Sequence, residues 1–282
     1  DDRPPIRHDA GLVVLALSDA AGKPIATVVN WANHPETLGS RNTELTSDYP
    51  HYLRTRLEAR VGGVGVLWNG AVGGMQSPLG AKVKDPASGA EAKDRTFRKA
   101  EIIGQRVADL AAEALASAKP SPVDSLVFRE TVVRIPMTNP GFQMAAKAGL
   151  FKGRKLPNDD GTTNTPVGLV RIAGGGQALV DIALIPGEMY PELSLGGVER
   201  YSGADYPDAP IEPAIKTLET AKFRMLIGLA NDEIGYIIPK AEWDEKPPFL
   251  NNSPRRHYGE VNSVGPDAAP RIAEAFQRLV KP

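Results

Sequence analysis

Short apolar segments of strand length alternate irregularly with amphipathic helical stretches, and this pattern limits the folds open to the chain. Residues 12–17 and 25–31 flank a group of turn residues and predict a hairpin, whereas residues 93–118 carry apolar side chains at helical spacing. A doubly wound sheet alternates strands and helices regularly. We therefore expect a mixed α/β fold of the α+β kind, with a layered mixed sheet and flanking helices.

The other segments extend this pattern along the chain. Glycines 174–176 predict a hairpin turn and not a phosphate cradle, because no helix opens after them. Residues 139–165 are polar and rich in Gly and Lys, and they predict a long surface excursion. Strands are expected at 64–68, 125–137, 168–172, 178–185 and 223–229, and helices at 49–60, 211–221 and 268–280.

Charge and cysteine content exclude several classes of protein. The chain has 33 Lys and Arg against 34 Asp and Glu, a formal net charge of −1, so it does not bind nucleic acid or an anionic membrane through bulk charge. It has no cysteine, which excludes disulfides, thiol catalysis and Cys-based metal sites. No apolar run approaches the roughly 18 residues of a membrane helix, so no transmembrane segment is predicted.

Polar side chains follow three of the expected strands. His34 comes directly after the second strand and before Pro35, on a stiff backbone that suits a metal ligand. Glu188 follows another strand in the sequence Pro-Gly-Glu, and residues 231–236, which include Tyr236, follow the strand at 223–229. Since loops at strand ends are where layered folds place their sites, a histidine, a carboxylate and an oxygen ligand there form a reasonable zinc set. A packed histidine and a turn carboxylate are the alternatives.

Two more residues could contribute to catalysis. Ser77 lies in the glycine-rich loop 69–78, but Pro78 follows it and the loop is not the strained Gly-x-Ser-x-Gly turn of serine hydrolases. A purely structural loop is the alternative. Tyr258 stands in a small basic and aromatic cluster, where its hydroxyl could donate a hydrogen bond to a developing oxyanion.

Taken in order, these segments resemble the neutral/alkaline, non-lysosomal ceramidase family of zinc-dependent amidohydrolases. The similar stretches are Asn-Trp-Ala-Asn-His-Pro at 30–35, the loop at 69–78, Pro-Gly-Glu at 186–188, Gly-Tyr-Ile-Ile at 235–238 and the surroundings of Tyr258. The resemblance covers most of residues 12–267.

The resemblance implies a role for each of these residues. His34, Glu188 and Tyr236 would bind a zinc ion (Zn2+), Tyr258 would help the metal to polarise the amide carbonyl, and Ser77 would have a catalytic role. The implied reaction is hydrolysis of an N-acyl amide bond by metal-activated water. The implied substrate is ceramide-like or another small-molecule amphipathic amide, because the serine loop reads Gly-Met-Gln-Ser-Pro-Leu and departs from the family's sequence.

The resemblance also predicts the organisation of the chain. The family's first zinc histidine comes from an upstream segment that has no counterpart here. We therefore expect residues 1–282 to be a single ceramidase-like catalytic domain that is incomplete at its N-terminus. A separate upstream chain, or an upstream segment of the same precursor, would supply the missing histidine and the general acid. The family implies a periplasmic or secreted location.

Two other functions remain open at this stage. The chain could be a metal-independent serine hydrolase that uses Ser77 as its nucleophile. It could also be a non-catalytic subunit of a ceramidase-like complex that has kept the scaffold without the chemistry.

Overall fold

The computed structural model describes residues 3–151, 157–158 and 160–281. They form two compact units. The smaller unit contains residues 10–70 and 75–121, and the larger unit contains residues 3–9, 71–74 and 122–281. The interpretation of the whole chain as one incomplete catalytic domain stays a prediction.

The smaller unit places a three-stranded sheet beside two helices. Strands β1 and β2 are antiparallel and form the expected hairpin, while β3 pairs with β2 in parallel. Its elements are β1 (Leu12–Ser18), β2 (Pro24–Trp31), α1 (Tyr49–Val61), β3 (Val64–Asn69) and α2 (Phe97–Ala116).

The start of α1 shows why the sequence forms a helix there. The Asp48 carboxylate accepts a hydrogen bond from Tyr49 N at 2.7 Å, and Pro50 occupies the first turn, where no backbone N–H is needed. Both helices then bury apolar side chains in one core, which includes Leu53, Ile102 and Val107. The predicted positions of both helices are confirmed.

The larger unit is built on a four-stranded sheet of order β4-β5-β6-β8. Its first three strands are antiparallel neighbours, and β8 pairs with β6 in parallel. A separate two-stranded parallel sheet joins β7 and β9. The elements are β4 (Ser125–Pro136), α3 (Pro140–Lys147), β5 (Thr162–Gly174), β6 (Gln177–Leu184), β7 (Glu188–Met189), α4 (Pro191–Leu195), α5 (Ile215–Leu218), β8 (Phe223–Ile227), β9 (Tyr236–Ile237), α6 (Tyr258–Val261) and α7 (Ala268–Leu279).

Two sequence predictions in this unit were wrong in part. Residues 139–165 were expected to be a surface excursion, but they contain α3 and the first residues of β5, and Asn139 caps α3 by accepting from Gly141 N and Phe142 N. Residues 152–156 and 159 of that stretch lie outside the described residues. The helix expected at 211–221 is only the single turn α5, which begins after Pro213.

Helix α7 covers one face of the four-stranded sheet, where Ile272 and Phe276 are fully buried in the core of the larger unit. The fold class is therefore mixed α+β, with several sheets and flanking helices, as the sequence predicts. Among the helices of the described residues, none has the length and apolar content needed to cross a membrane.

Candidate functional site

Glu188 and Tyr236 are brought together by the two-stranded sheet. They are register partners in the parallel pair of β7 and β9, and Glu188 N donates a hydrogen bond to Gly235 O at 3.1 Å. Side chains of paired residues on neighbouring strands stand on the same face, with their backbones about 4.8 Å apart. A carboxylate and a phenol therefore project from adjacent positions on one face.

Tyr258 joins this pair through ring contacts. Its ring meets that of Tyr236 edge to face with centroids 5.8 Å apart, and Tyr236 meets Tyr190 in the same way at 6.2 Å. The backbone fixes this row, because Tyr236 N donates to Asn262 O at 3.0 Å, just past α6. Tyr236 and Tyr190 are buried, whereas 58% of the Tyr258 surface is exposed. Tyr258 is thus the member of the row that an incoming molecule can reach.

A segment of the glycine-rich loop packs directly on β7. Gly73 N donates to Met189 O at 2.9 Å, and a Cβ atom at position 73 would lie 2.5 Å from Glu188 O. Only glycine allows this approach. Gly73, which lies in the same glycine-rich loop as Ser77, therefore also fixes the strand that carries Glu188.

Glu233 is an acidic neighbour of Glu188. Its pKa is raised to about 7, chiefly by burial, and the nearby charges of Glu188 and Asp232 contribute to that rise. Burial likewise raises the pKa of Tyr190 above its ordinary value. Burial is the main cause of both shifts, and the charge of Glu188 adds a smaller contribution at Glu233.

His34 is oriented by the main chain of the smaller unit. Its backbone N donates to Gln76 O at 2.8 Å, and its Nδ1 lies 2.8 Å from the same oxygen. Since a carbonyl oxygen only accepts, Nδ1 carries the hydrogen, and in the neutral imidazole the lone pair is on Nε2. A backbone carbonyl that binds one ring nitrogen is the usual partner of a histidine that ligates metal through the other.

Ser77 lies next to this contact in the smaller unit. Its Oγ accepts a hydrogen bond from Leu79 N at 3.1 Å, which is the contact of a turn-forming serine. The buried Lys99 holds the same turn, because its Nζ donates to Pro78 O at 2.9 Å. The catalytic role of Ser77 stays a prediction.

The five predicted site residues thus fall into two groups. Glu188, Tyr236 and Tyr258 lie together in the larger unit, and His34 and Ser77 are linked through Gln76 in the smaller unit. Sequence reasoning missed Tyr190, although it stands two residues after Glu188. It named Glu233 only as a member of a polar segment.

The donor set can be compared with the needs of zinc. Zinc binds histidine nitrogen and carboxylate oxygen, and it favours deprotonation of an oxygen ligand such as a phenol. The tautomer of His34 and the shared face of Glu188 and Tyr236 fit these preferences. Within the described residues, no group of three His, Asp or Glu side chains could hold a metal. The predicted set includes only one histidine and one carboxylate from this chain.

Comparison with known proteins identifies the fold of the chain. No family model and no curated protein sequence matches the chain. Among solved structures, the neutral ceramidase from Pseudomonas aeruginosa matches with a TM-score of 0.63 at 16% identity, and a ceramidase complexed with C2 matches with a TM-score of 0.62 at 15% identity. The chain has the fold of neutral ceramidase.

The neutral-ceramidase fold confirms, at the level of architecture, the resemblance read from the sequence. Both matches cover 95% of this chain but only 45% and 47% of the matched chains. The chain thus spans about half the length of its structural neighbours.

Proposed function

We propose that this chain forms part of the active site of a zinc-dependent amidase, which hydrolyses the N-acyl bond of ceramide or of another amphipathic amide. The observation that carries the proposal is the arrangement of Glu188, Tyr236 and Tyr258, two register partners and a third side chain in ring contact with one of them. The neutral-ceramidase fold supports the reaction class, since both structural neighbours are described as ceramidases.

The zinc ligands proposed for this chain are His34, Glu188 and Tyr236. A bound zinc ion supplies a Lewis acid and lowers the pKa of a water ligand towards neutrality. The hydrogen bond from His34 Nδ1 to Gln76 O keeps the imidazole in one tautomer and one orientation. The carboxylate of Glu188 would offset part of the charge of the cation.

Tyr258 would act on the substrate carbonyl. Its exposed hydroxyl donates a hydrogen bond to the carbonyl oxygen as negative charge develops there, an interaction worth about 100- to 1,000-fold in rate for one such donor. Ser77 would orient the substrate or a water molecule. Its contact with Leu79 N supports this role over that of a covalent nucleophile, because it holds the hydroxyl in the turn.

Further parts of the active site would come from outside these 282 residues. We infer that another segment or chain supplies a histidine ligand and the general acid that protonates the leaving amine. The length of the structural neighbours that has no counterpart in this chain supports this inference. A periplasmic or secreted location belongs to the same proposal.

The test uses the natural protein that contains these residues. Release of free amine from an N-acyl sphingoid substrate is measured before and after chelation, and again after zinc is added back. We expect chelation to abolish hydrolysis, zinc to restore it, and Glu188→Gln to remove both zinc and turnover. Glu130→Gln, at an exposed carboxylate of β4, is the control. Hydrolysis that survives chelation and is blocked when a fluorophosphonate labels Ser77 would replace this proposal with a serine hydrolase.

A further inference from the structure

Helix α6, which carries Tyr258, is too short to be stable alone. It has four residues, and no side chain caps its N-terminus. One turn of helix fixes several backbone torsions for very few hydrogen bonds, so its stability must come from its neighbours. Tyr258 points outwards from this turn, while His257 and Glu260 on either side of it are buried.

Polar contacts hold both buried residues, Glu260 in the turn and His257 at its N-terminus. Arg3 Nη1 lies 2.7 Å from Glu260 Oε1, and the two side chains are only 3% and 0% exposed. His257 Nε2 lies 2.8 Å from Asp244 Oδ2. The backbone N of Asp244 also donates to Glu260 Oε1 at 3.2 Å, so the same carboxylate oxygen accepts hydrogen bonds from Arg3 and from Asp244. The Arg3–Glu260 ion pair and the His257–Asp244 contact are therefore connected through Asp244.

Arg3 also contacts Tyr190, the first member of the tyrosine row. Its Nη2 donates to Tyr190 Oη at 3.4 Å, and its Nη1 donates to Glu242 O at 3.0 Å. Helix α6 packs closely on the same phenol, because a Cβ atom at Gly259 would lie 2.3 Å from Tyr190 Oη. One guanidinium thus connects the turn that carries Tyr258 with the first member of the row Tyr190–Tyr236–Tyr258.

We propose that Arg3 is a positioning residue that holds Tyr258 in its catalytic orientation by binding Glu260 and Tyr190 together. The proposal rests on the function proposed above for Tyr258. A buried charge is tolerated only when it is paired and hydrogen-bonded, and the planar fork of arginine makes several such bonds at once. Lysine would keep the charge but not the fork.

The first experiment observes Tyr258 without any catalysis. All seven tyrosines of the chain are replaced by 3-fluorotyrosine, and the fluorine NMR signal of residue 258 is assigned by its loss in Tyr258→Phe. We expect Arg3→Gln to shift or broaden this signal, and Arg3→Lys to change it less. Arg7→Gln is the matched control, because Arg7 lies on the same N-terminal segment but pairs with the part-exposed Glu199. The Tyr258 signal should not change in Arg7→Gln.

A folded Arg3→Gln chain with an unchanged Tyr258 signal would overturn the proposal. If that variant does not fold, Glu260→Met takes its place, since it keeps the length of the side chain but removes the oxygen that binds Arg3. An unchanged Tyr258 signal in that variant would be equally decisive against the proposal.

The second experiment is a double-mutant cycle on kcat in the natural protein. We expect Arg3→Gln to lower kcat by about 10-fold or more with KM nearly unchanged, and to have less than about a 2-fold effect in the Tyr258→Phe background, because the two residues act as a unit. Equal losses in both backgrounds would assign Arg3 a structural role unconnected with Tyr258. If the natural protein hydrolyses no amide, the proposed function fails, and the fluorine signal still decides whether Arg3 orients Tyr258.

Discussion

The ring of Tyr258 meets the ring of Tyr236 edge to face, with centroids 5.8 Å apart. The two phenols nevertheless differ in their surroundings, because Tyr236 is buried beside its register partner Glu188 while Tyr258 is exposed. The proposed reaction gives them different roles, with Tyr236 as a zinc ligand and Tyr258 as a hydrogen-bond donor to the substrate.

Removing each hydroxyl separately tests that assignment. We expect Tyr258→Phe to keep the zinc and to lower kcat by about 100- to 1,000-fold, the loss typical of one oxyanion donor. Tyr236→Phe should lose zinc together with activity. Metal analysis of the purified variants and steady-state kinetics measure both effects. The assignment is wrong if Tyr258→Phe loses the metal or Tyr236→Phe retains it in full.

Zinc affinity should depend on His34 and not on an exposed histidine. Replacing His34 by Gln removes the Nε2 ligand, so we expect affinity to fall by at least about 100-fold, beyond the effect of most outer-shell changes. His51→Gln is the control, because His51 lies on the exposed side of α1. Competition with a chromogenic chelator measures the zinc affinity of both variants. Equal affinities in the two variants would show that His34 is not a zinc ligand.

Glu219 should make the protein less stable as pH rises. Burial, with the nearby charge of Asp181, raises its folded-state pKa from an ordinary value of 4.5 to about 9. Between these values the unfolded chain loses the proton and the folded chain keeps it. The free energy of unfolding should therefore fall by up to ~1.4 kcal/mol for each pH unit.

Urea unfolding at pH 5 and pH 8 measures whether the free energy of unfolding falls as pH rises. Trp243 reports on the larger unit if Trp31 and Trp68 are replaced by Phe. We expect Glu219→Gln to match the parent at pH 5 and to exceed its stability at pH 8, whereas Glu113→Gln at an exposed position of α2 changes neither. A parent and a Glu219→Gln variant with identical pH dependence would contradict the assignment.

The Arg171–Asp181 pair should stabilise the larger unit far more than a surface pair does. The Asp181 side chain is fully buried and accepts from Arg171 at 2.7 and 2.8 Å and from the backbone of Thr220 and Ala221. Asp181→Asn removes the negative charge that pairs with Arg171 and replaces one accepting oxygen with an amide nitrogen, so we expect a loss of about 3 kcal/mol. Glu274→Gln, which breaks an exposed pair with Arg278, should cost less than about 0.5 kcal/mol. Similar losses in the two variants would contradict this account of Asp181.

Regular elements were predictable because they have local signals. The β1–β2 hairpin follows from two apolar strands around turn residues, and α1 follows from Asp48 and Pro50 at its start. Helix α3 was missed although Asn139 and Pro140 form a good helix start, because the segment is short and rich in Gly and Lys. The first part of β5 was missed because buried Thr163 and Thr165 replace the expected apolar residues there.

The candidate site was predicted only where the sequence carries a motif. Glu188 and Tyr236 were proposed from their position after strands and from the family resemblance, but β7 and β9 have two residues each, too few for any periodicity. Arg3 offers no local signal, because its partners Glu260 and Tyr190 are distant in sequence. Long-range pairing of this kind is determined by the tertiary fold alone.

The central claim is that one zinc ion binds His34, Glu188 and Tyr236. A crystal structure of the natural protein, with anomalous diffraction measured at the zinc edge, tests it most directly. We predict a single zinc peak within about 2.0–2.2 Å of His34 Nε2 and Glu188, and a comparable distance to the Tyr236 oxygen. A zinc peak elsewhere, or an active crystal with no metal at these three side chains, would contradict the account.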